Sequence, residues 1–110
     1  MAKNGKFKTI CLCGSTKFKE EFIKARNRLT KAGYVVLGPE VFTHADGENT
    51  TDFEKAMLDD MHLQKVTMSD EIFVINVGNY IGDSTRREIQ YASSLNIPIR
   101  YLEKNYGETI

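Results

Sequence analysis

The sequence has no tryptophan, only two prolines and two cysteines, and no long apolar run. No stretch approaches the length of a membrane span, and the first residues lack the apolar segment of a secretory signal peptide. We therefore expect a cytoplasmic protein with no membrane partner. The 110 residues are enough for one domain with a real core, over residues 1–110, and too few for two.

Net charge is also absent, because 15 Lys and Arg residues balance 15 Asp and Glu residues. This balance gives no reason to expect binding to nucleic acid. The charges are unevenly placed: residues 1–36 hold nine basic and two acidic residues, and residues 37–72 hold two basic and nine acidic ones. The distribution indicates either two oppositely charged helix surfaces or a molecule that associates with a copy of itself.

Cys11 and Cys13 lie in the first predicted strand. At a spacing of two residues we expect their side chains to face opposite sides of that strand, which makes a disulfide between them geometrically unfavourable. A Cys-x-Cys pair without nearby Cys or His partners is also a poor metal site. We predict no disulfide, no metal and no cofactor.

The spacing of apolar residues predicts four strands alternating with three helices. The strands are expected at residues 7–12, 34–37, 72–75 and 97–102, and the second is expected to be buried. The helices are expected from Phe18 to about residue 32, from a cap at Thr51 or Asp52 to about Met68, and from a cap at Asp83 or Ser84 to about Asn96. Residues 40–51 are predicted to form a long loop, and the tail from Glu103 is expected to fray.

Strands and helices in alternation predict an α/β fold. We expect a three-layer, flavodoxin- or Rossmann-like parallel sheet of four to five strands with helices on both faces. Ligands bind such sheets at the carboxyl ends of the strands, where the strand order reverses. That point should lie between the first and third strands, where residues 13–17 meet residues 76–85. Asn76 and Gly78 of the second loop are therefore candidate ligand contacts.

The first of these loops has the composition of an anion site. Gly14 allows close approach of the backbone to a ligand, and Ser15, Thr16 and Lys17 add donors at the start of a helix. An ordinary helix start has a similar composition. The residue sequence of this loop does not match a P-loop, which ends in Gly-Lys-Ser/Thr. Position 17 is lysine, whereas the phosphate loop of a cysteine phosphatase needs an arginine there for bidentate binding.

Glu88 is the best candidate for a catalytic residue. With Ser84 as the cap, Glu88 falls in the first turn of the third helix and on the apolar side that contains Ala92 and Leu95. Helix-dipole compensation and a salt bridge would be an equally good explanation of this position. Ser84 and Thr85, at the same helix start, are candidate ligand contacts.

A second carboxylate is predicted on the second helix. Its apolar stripe, expected to be core, runs through Phe53, Met57, Met61 and Met68. Asp60 lies inside this stripe and is predicted to be either a second active-site acid or a buried structural one. Asp59 and His62 lie on the far side of the helix.

The run Cys13-Gly14-Ser15-Thr16-Lys17 after the first strand, with a helix that contains Glu88 after the third, resembles the nucleoside 2-deoxyribosyltransferase superfamily, which includes 2-deoxynucleoside monophosphate N-glycosidases. The resemblance extends from Phe7 to Leu102. It implies a homodimer that cleaves an N-glycosidic bond. It also implies a glutamate nucleophile at Glu88 and phosphate contacts at Ser15 and Lys17. The family's helical Asp falls at His62 here, so Asp59, Asp60 or His62 would be the general acid.

Three functions follow from this reading. The first is hydrolysis or transfer at the N-glycosidic bond of a (deoxy)nucleoside or its 5′-monophosphate, with Glu88 as nucleophile. The second is a non-catalytic nucleotide-binding module in which Glu88 is merely paired. The third is a dimeric scaffold without a ligand.

Overall fold

The computed structural model of the chain describes residues 2–40, 42 and 50–103. Its helices and strands follow in the order β1 (Thr9–Gly14), α1 (Lys19–Lys31), β2 (Val35–Leu37), α2 (Asp52–Thr67), β3 (Glu71–Ile75), α3 (Asp83–Ser94) and β4 (Ile99–Tyr101), with a 3₁₀ turn at Val77–Asn79 before α3. The four strands form one parallel sheet in the order β2-β1-β3-β4. The predicted α/β fold with a parallel sheet is confirmed.

Side chains of the central strands build a core on each face of the sheet. On one face, Ile10, Leu12, Phe73 and Ile75 pack with residues of α1. On the other face, the core contains Cys11, Cys13, Ile72, Val74, Val66 of α2 and Ala92 of α3. The helices therefore cover both faces, as predicted.

Cys11 and Cys13 lie on the same face of β1, in the core under α2 and α3. The prediction that they face opposite sides is wrong, because successive side chains of a strand alternate and residues two apart share a face. Both cysteines are free and fully buried.

The strand order reverses between β1 and β3, as predicted. From β1 the chain passes to β2 on one side and then crosses to β3 on the other. The β1–β3 pairing runs in register from Ile10 opposite Glu71 to Gly14 opposite Ile75. Because the two strands are parallel, their carboxyl ends meet at one edge of the sheet.

Two burial predictions are wrong. Strand β2 is an edge strand rather than a buried one, and Val35 is 48% exposed. On α2 the stripe Phe53, Met57, Met61 and Met68 is exposed, with Phe53 at 78%. Helix α2 instead turns its opposite side inward, where Val66 is its one fully buried residue.

The helix starts were predicted with partial success. Thr51 caps α2 in a capping box: its side chain accepts from the N–H of Glu54, whose carboxylate accepts from the N–H of Thr51. The predicted cap of α3 at Asp83 or Ser84 is wrong, since Gly82 precedes the helix and no side chain caps it. Glu88 consequently lies in the second turn of α3.

Most of the predicted loop at residues 40–51 lies outside the described residues, as does the tail at 104–110. Within the described ranges, no helix has the length and apolar character needed to cross a membrane.

Asp70, just before β3, ties the amino-terminal segment to the sheet. Its carboxylate accepts hydrogen bonds from the backbone N–H groups of Thr9 (2.8 Å) and Lys3 (2.9 Å). Burial alone would raise the pKa of Asp70, but these two bonds stabilise the charged form and bring the pKa below its usual 3.8.

We expect Asp70→Asn to lower the free energy of unfolding by about 1 kcal/mol at neutral pH. Because the folded-state pKa is depressed, the carboxylate stabilises the fold above pH 3.8, and this contribution disappears as the pH falls through the folded-state pKa. Urea unfolding of wild type and variant at several pH values measures the difference. A difference that stays constant from neutral to strongly acidic pH would contradict the assignment. Asp60→Asn, at an exposed position, is the control.

Candidate functional site

A cavity of about 1060 Å³ opens at the edge of the sheet where β1 and β3 end. Its walls are formed mainly by the loop after β1, one side of α2 and the first turns of α3, with further residues from the segments after β2 and before α2 and α3. Its lining residues are Gly14, Ser15, Thr16, Lys17, Pro39, Glu40, Thr50, Lys55, Leu58, Asp59, Met61, His62, Lys65, Tyr80, Gly82, Asp83, Ser84, Thr85 and Glu88. The volume is that of a site for a small-molecule ligand.

The loop after β1 approaches the end of β3 so closely that only glycine fits at position 14. A Cβ atom added to Gly14 would lie 2.9 Å from the carbonyl oxygen of Ile75 and 3.1 Å from its Cβ. The chain then turns, with the N–H of Phe18 bonded to the carbonyl oxygen of Ser15 (3.1 Å). Ser15 and Thr16 are thereby placed at the cavity wall.

Lys17 stands at the side of the cavity against two aromatic rings. Its Nζ lies 4.0 Å from the ring centroid of Tyr80 and 5.2 Å from that of Phe18. The two rings themselves meet edge to face, with centroids 6.0 Å apart. These cation–π contacts hold a positive charge at the cavity wall, where no acidic side chain among the described residues pairs with Lys17.

The start of α3 forms the wall that faces this loop. Because no side chain caps the helix at Gly82, the first-turn N–H groups keep their capacity to bind an anion. Ser84 and Thr85 line the cavity at this point, and Thr85 is buried.

Glu88 and His62 meet on the cavity wall between α3 and α2. The distance from His62 Nε2 to Glu88 Oε1 is 3.4 Å, and the two side chains are only 12% and 16% exposed. The same nitrogen lies 3.4 Å from Cys13 Sγ and 3.9 Å from Cys11 Sγ. One imidazole thus joins a carboxylate from α3 to two thiols from β1.

Burial and mutual contact shift the pKa values of all four groups. Burial raises the pKa of Glu88 to about 7, against the opposing effect of the His62 charge. Burial would lower the pKa of His62, but its hydrogen bond with Cys11 and the charges of Cys11 and Glu88 outweigh this and raise it. The protonated form of His62 is therefore favoured when Cys11 or Glu88 carries a negative charge.

The two thiols are shifted in opposite directions. The hydrogen bond from Cys13, supported by His62 and opposed by burial, lowers the pKa of Cys11 to about 6. The same bond, together with burial, raises the pKa of Cys13. Cys11 is consequently the thiol that ionises first.

The structure brings most of the predicted site residues to one cavity. Glu88 lines it together with Gly14, Ser15, Thr16, Lys17, Ser84 and Thr85. Of the three predicted acids on α2, Asp59 and His62 line the cavity, whereas Asp60 is exposed and does not. Asp60 is therefore not a buried structural acid, because α2 turns the side that carries Phe53, Met57 and Asp60 toward solvent. The catalytic role of Asp60 stays a prediction.

Asn76 and Gly78 also lie away from the cavity lining. Asn76 is fully buried, where its side chain accepts from the N–H of Glu103 and donates to the carbonyl oxygen of Glu103. The backbone N–H of Gly78 donates a hydrogen bond to the carboxylate of Glu103 (2.7 Å). Both positions hold the segment after β4 in place, which is a structural role.

Sequence reasoning missed Cys11, Cys13, Lys55 and Lys65. The thiols were dismissed as lacking a nearby histidine, although His62 lies beside them across 49 and 51 residues. The two-residue period of a strand was the available signal for their common face. Lys55, which pairs with Asp59 at 3.1 Å, and Lys65 line the cavity from α2 and had no sequence signal of their own.

We expect Gly14→Ala to destabilise the fold by about 1–3 kcal/mol, because the new methyl group meets backbone atoms of β3. Gly82→Ala is the matched control: its Cβ would meet the hydroxyl of Tyr80 at 3.2 Å, and that side chain can move aside. Urea unfolding measures both. Equal stability of Gly14→Ala and wild type would show that the loop does not need glycine there.

Comparison with known proteins gives a family for the chain but no named activity. No curated protein matches it. A family model described as "Domain of unknown function (DUF4406)" matches residues 11–101, from the middle of β1 to the last residue of β4. That range contains the loop after β1, His62 and Glu88, and hence the described cavity. The chain belongs to the DUF4406 family.

Proposed function

We propose that this protein cleaves, or transfers a group at, the N-glycosidic bond of a (deoxy)nucleoside 5′-monophosphate, with Glu88 as the nucleophile. The main support is the position of Glu88, a largely buried carboxylate on the wall of a ligand-sized cavity. The resemblance of the loop after β1 and of the Glu88 helix to the nucleoside 2-deoxyribosyltransferase superfamily supports the same reading.

The reaction would proceed in two steps. A carboxylate oxygen of Glu88 attacks C1′ of the sugar, the C1′–N bond breaks, and its electron pair leaves with the base. His62 or Asp59, both of which line the cavity, would donate the proton that the base takes up. Water then hydrolyses the glycosyl ester, or a second base displaces Glu88 and completes a transfer.

The phosphate would lie between the loop after β1 and the start of α3. Ser15, Thr16 and Lys17 offer donors from one wall, and the uncapped helix start with Ser84 and Thr85 offers N–H and hydroxyl donors from the other. An anchored phosphate would fix the distance from C1′ to Glu88 and so lower the barrier by orientation.

A nucleotide-binding module without catalysis is the second candidate. One observation favours it: Glu88 lies 3.4 Å from His62 Nε2 and so already has a partner. In that case a nucleotide would raise the melting temperature of the protein and remain intact. A scaffold without a ligand would show no stabilisation by any nucleotide.

The homodimer that the resemblance implies belongs to the same proposal. The exposed Phe53 and Met57 of α2 would be suitable for burial against a second copy. Light scattering at assay concentration gives the mass, and a monomer at that concentration would remove this part of the proposal.

We expect wild-type protein to release free base from at least one member of a panel of ribo- and deoxyribonucleosides and their 5′-monophosphates. Glu88→Gln should reduce the release to background, because the amide retains the shape of the side chain but forms no glycosyl ester. Chromatography of the base measures the rate.

Glu20→Gln, at an exposed position on α1, is the matched control and should keep the wild-type rate. Base release by Glu88→Gln at the wild-type rate would contradict the assigned nucleophile. Stabilisation by a nucleotide without release from any substrate would favour the binding module.

We expect Lys17→Ala to lower kcat/KM for a 5′-monophosphate by roughly ten- to a hundredfold, the effect of losing one charged hydrogen bond. The value for the corresponding nucleoside should change little, because it has no phosphate. Lys24→Ala, at an exposed position on α1, is the control. Equal losses for nucleotide and nucleoside would place Lys17 away from the phosphate.

A further inference from the structure

Four side chains with metal-ligating atoms converge behind the cavity wall. His62 Nε2 is 3.4 Å from Cys13 Sγ and 3.9 Å from Cys11 Sγ, and the three atoms lie within 4.8 Å of one another. The same nitrogen is 3.4 Å from Glu88 Oε1, an atom that does not belong to the group within 4.8 Å. The ligand atoms come from β1, α2 and α3, so they are held by three packed elements.

These distances are close to the edges of a zinc tetrahedron. With Zn–S near 2.3 Å and both Zn–N and Zn–O near 2.0 Å, tetrahedral angles place sulfur and nitrogen about 3.5 Å apart and nitrogen and a carboxylate oxygen about 3.3 Å apart. The two observed S···N distances, 3.4 and 3.9 Å, bracket the first value. The N···O distance of 3.4 Å matches the second.

Hydrogen bonding alone accounts poorly for this arrangement. Nε2 of an imidazole carries at most one hydrogen, so it can donate to only one of its three neighbours. A metal ion at the centre would bind the nitrogen, both sulfurs and the carboxylate at once. Two thiolates with one imidazole and one carboxylate are a donor set suited to Zn²⁺ and unsuited to Mg²⁺ or Ca²⁺.

We propose that Cys11, Cys13 and His62 bind Zn²⁺, and that an oxygen of Glu88 becomes the fourth ligand by moving toward the two sulfurs. With four protein ligands the ion has no open position, so it stabilises the contact of β1 with α2 and α3 rather than activating water. An oxygen of Glu88 bound to the ion is withdrawn from the cavity. Metal binding and the proposed glycosidic chemistry therefore exclude each other. The exclusion rests on the proposed function, whereas the metal site does not.

Titration of reduced, metal-free protein with Co²⁺, without nucleotide, tests the site. We expect saturation at one equivalent, with a thiolate-to-cobalt charge-transfer band, the visible absorption of a tetrahedral ion, and displacement by Zn²⁺. Competition with a chromophoric chelator gives the Zn²⁺ affinity. Circular dichroism with a chelator present confirms that each variant is folded.

We expect His62→Gln to lose at least roughly a hundredfold in Zn²⁺ affinity, whereas His44→Gln, at the chain's other histidine, should bind as wild type does. Cys13→Ser should remove most of the charge-transfer band. Equal affinities of the two histidine variants, or an unchanged band in both Cys11→Ser and Cys13→Ser, would overturn the site. Wild-type affinity of Glu88→Gln would overturn the role of Glu88 as fourth ligand. None of these outcomes depends on base release.

Discussion

Strands β1 and β3 pair in parallel over five residues, and this pairing determines where every candidate functional group lies. It ends the two strands at the same edge of the sheet, with Gly14 opposite Ile75. The loop that leaves β1 and the helix that follows β3 then lie on facing walls of one cavity, which α2 also lines. The absence of a side chain at Gly14 lets the first wall lie directly against the end of β3.

The same pairing places Cys11 and Cys13 side by side under α2 and α3. His62 contacts them from one helix, and Glu88 reaches His62 from the other. Burial makes Glu88 easier to protonate, and the hydrogen bond from Cys13 makes Cys11 easier to ionise. The two proposals use this cluster differently, for attack by a free Glu88 and for capture of a metal ion, and Glu88 cannot serve both at once.

The sequence allowed the sheet, the helices and the strand reversal to be predicted, because the period of apolar residues changes clearly between strand and helix. Glu88 and the loop Gly14–Lys17 were found by their position at the ends of predicted strands. The inward side of α2 was not predicted, because the residues that face the cavity, such as Asp59 and His62, are polar. Apolar periodicity consequently selected the exposed side with Phe53 and Met57. The meeting of His62 with two thiols about fifty residues away depends on tertiary packing, which no local pattern encodes.

The measurement that tests the nucleophilic role of Glu88 most directly is mass spectrometry of the protein after reaction with a nucleotide fluorinated at C2′. The fluorine destabilises the oxocarbenium-like transition states of both steps, so a nucleotide with a good leaving base, which keeps the first step faster than the second, should accumulate the intermediate. The account predicts a mass increase equal to the sugar phosphate, located on the peptide that contains Glu88. Release of the base without an adduct, or an adduct on another residue, would contradict it.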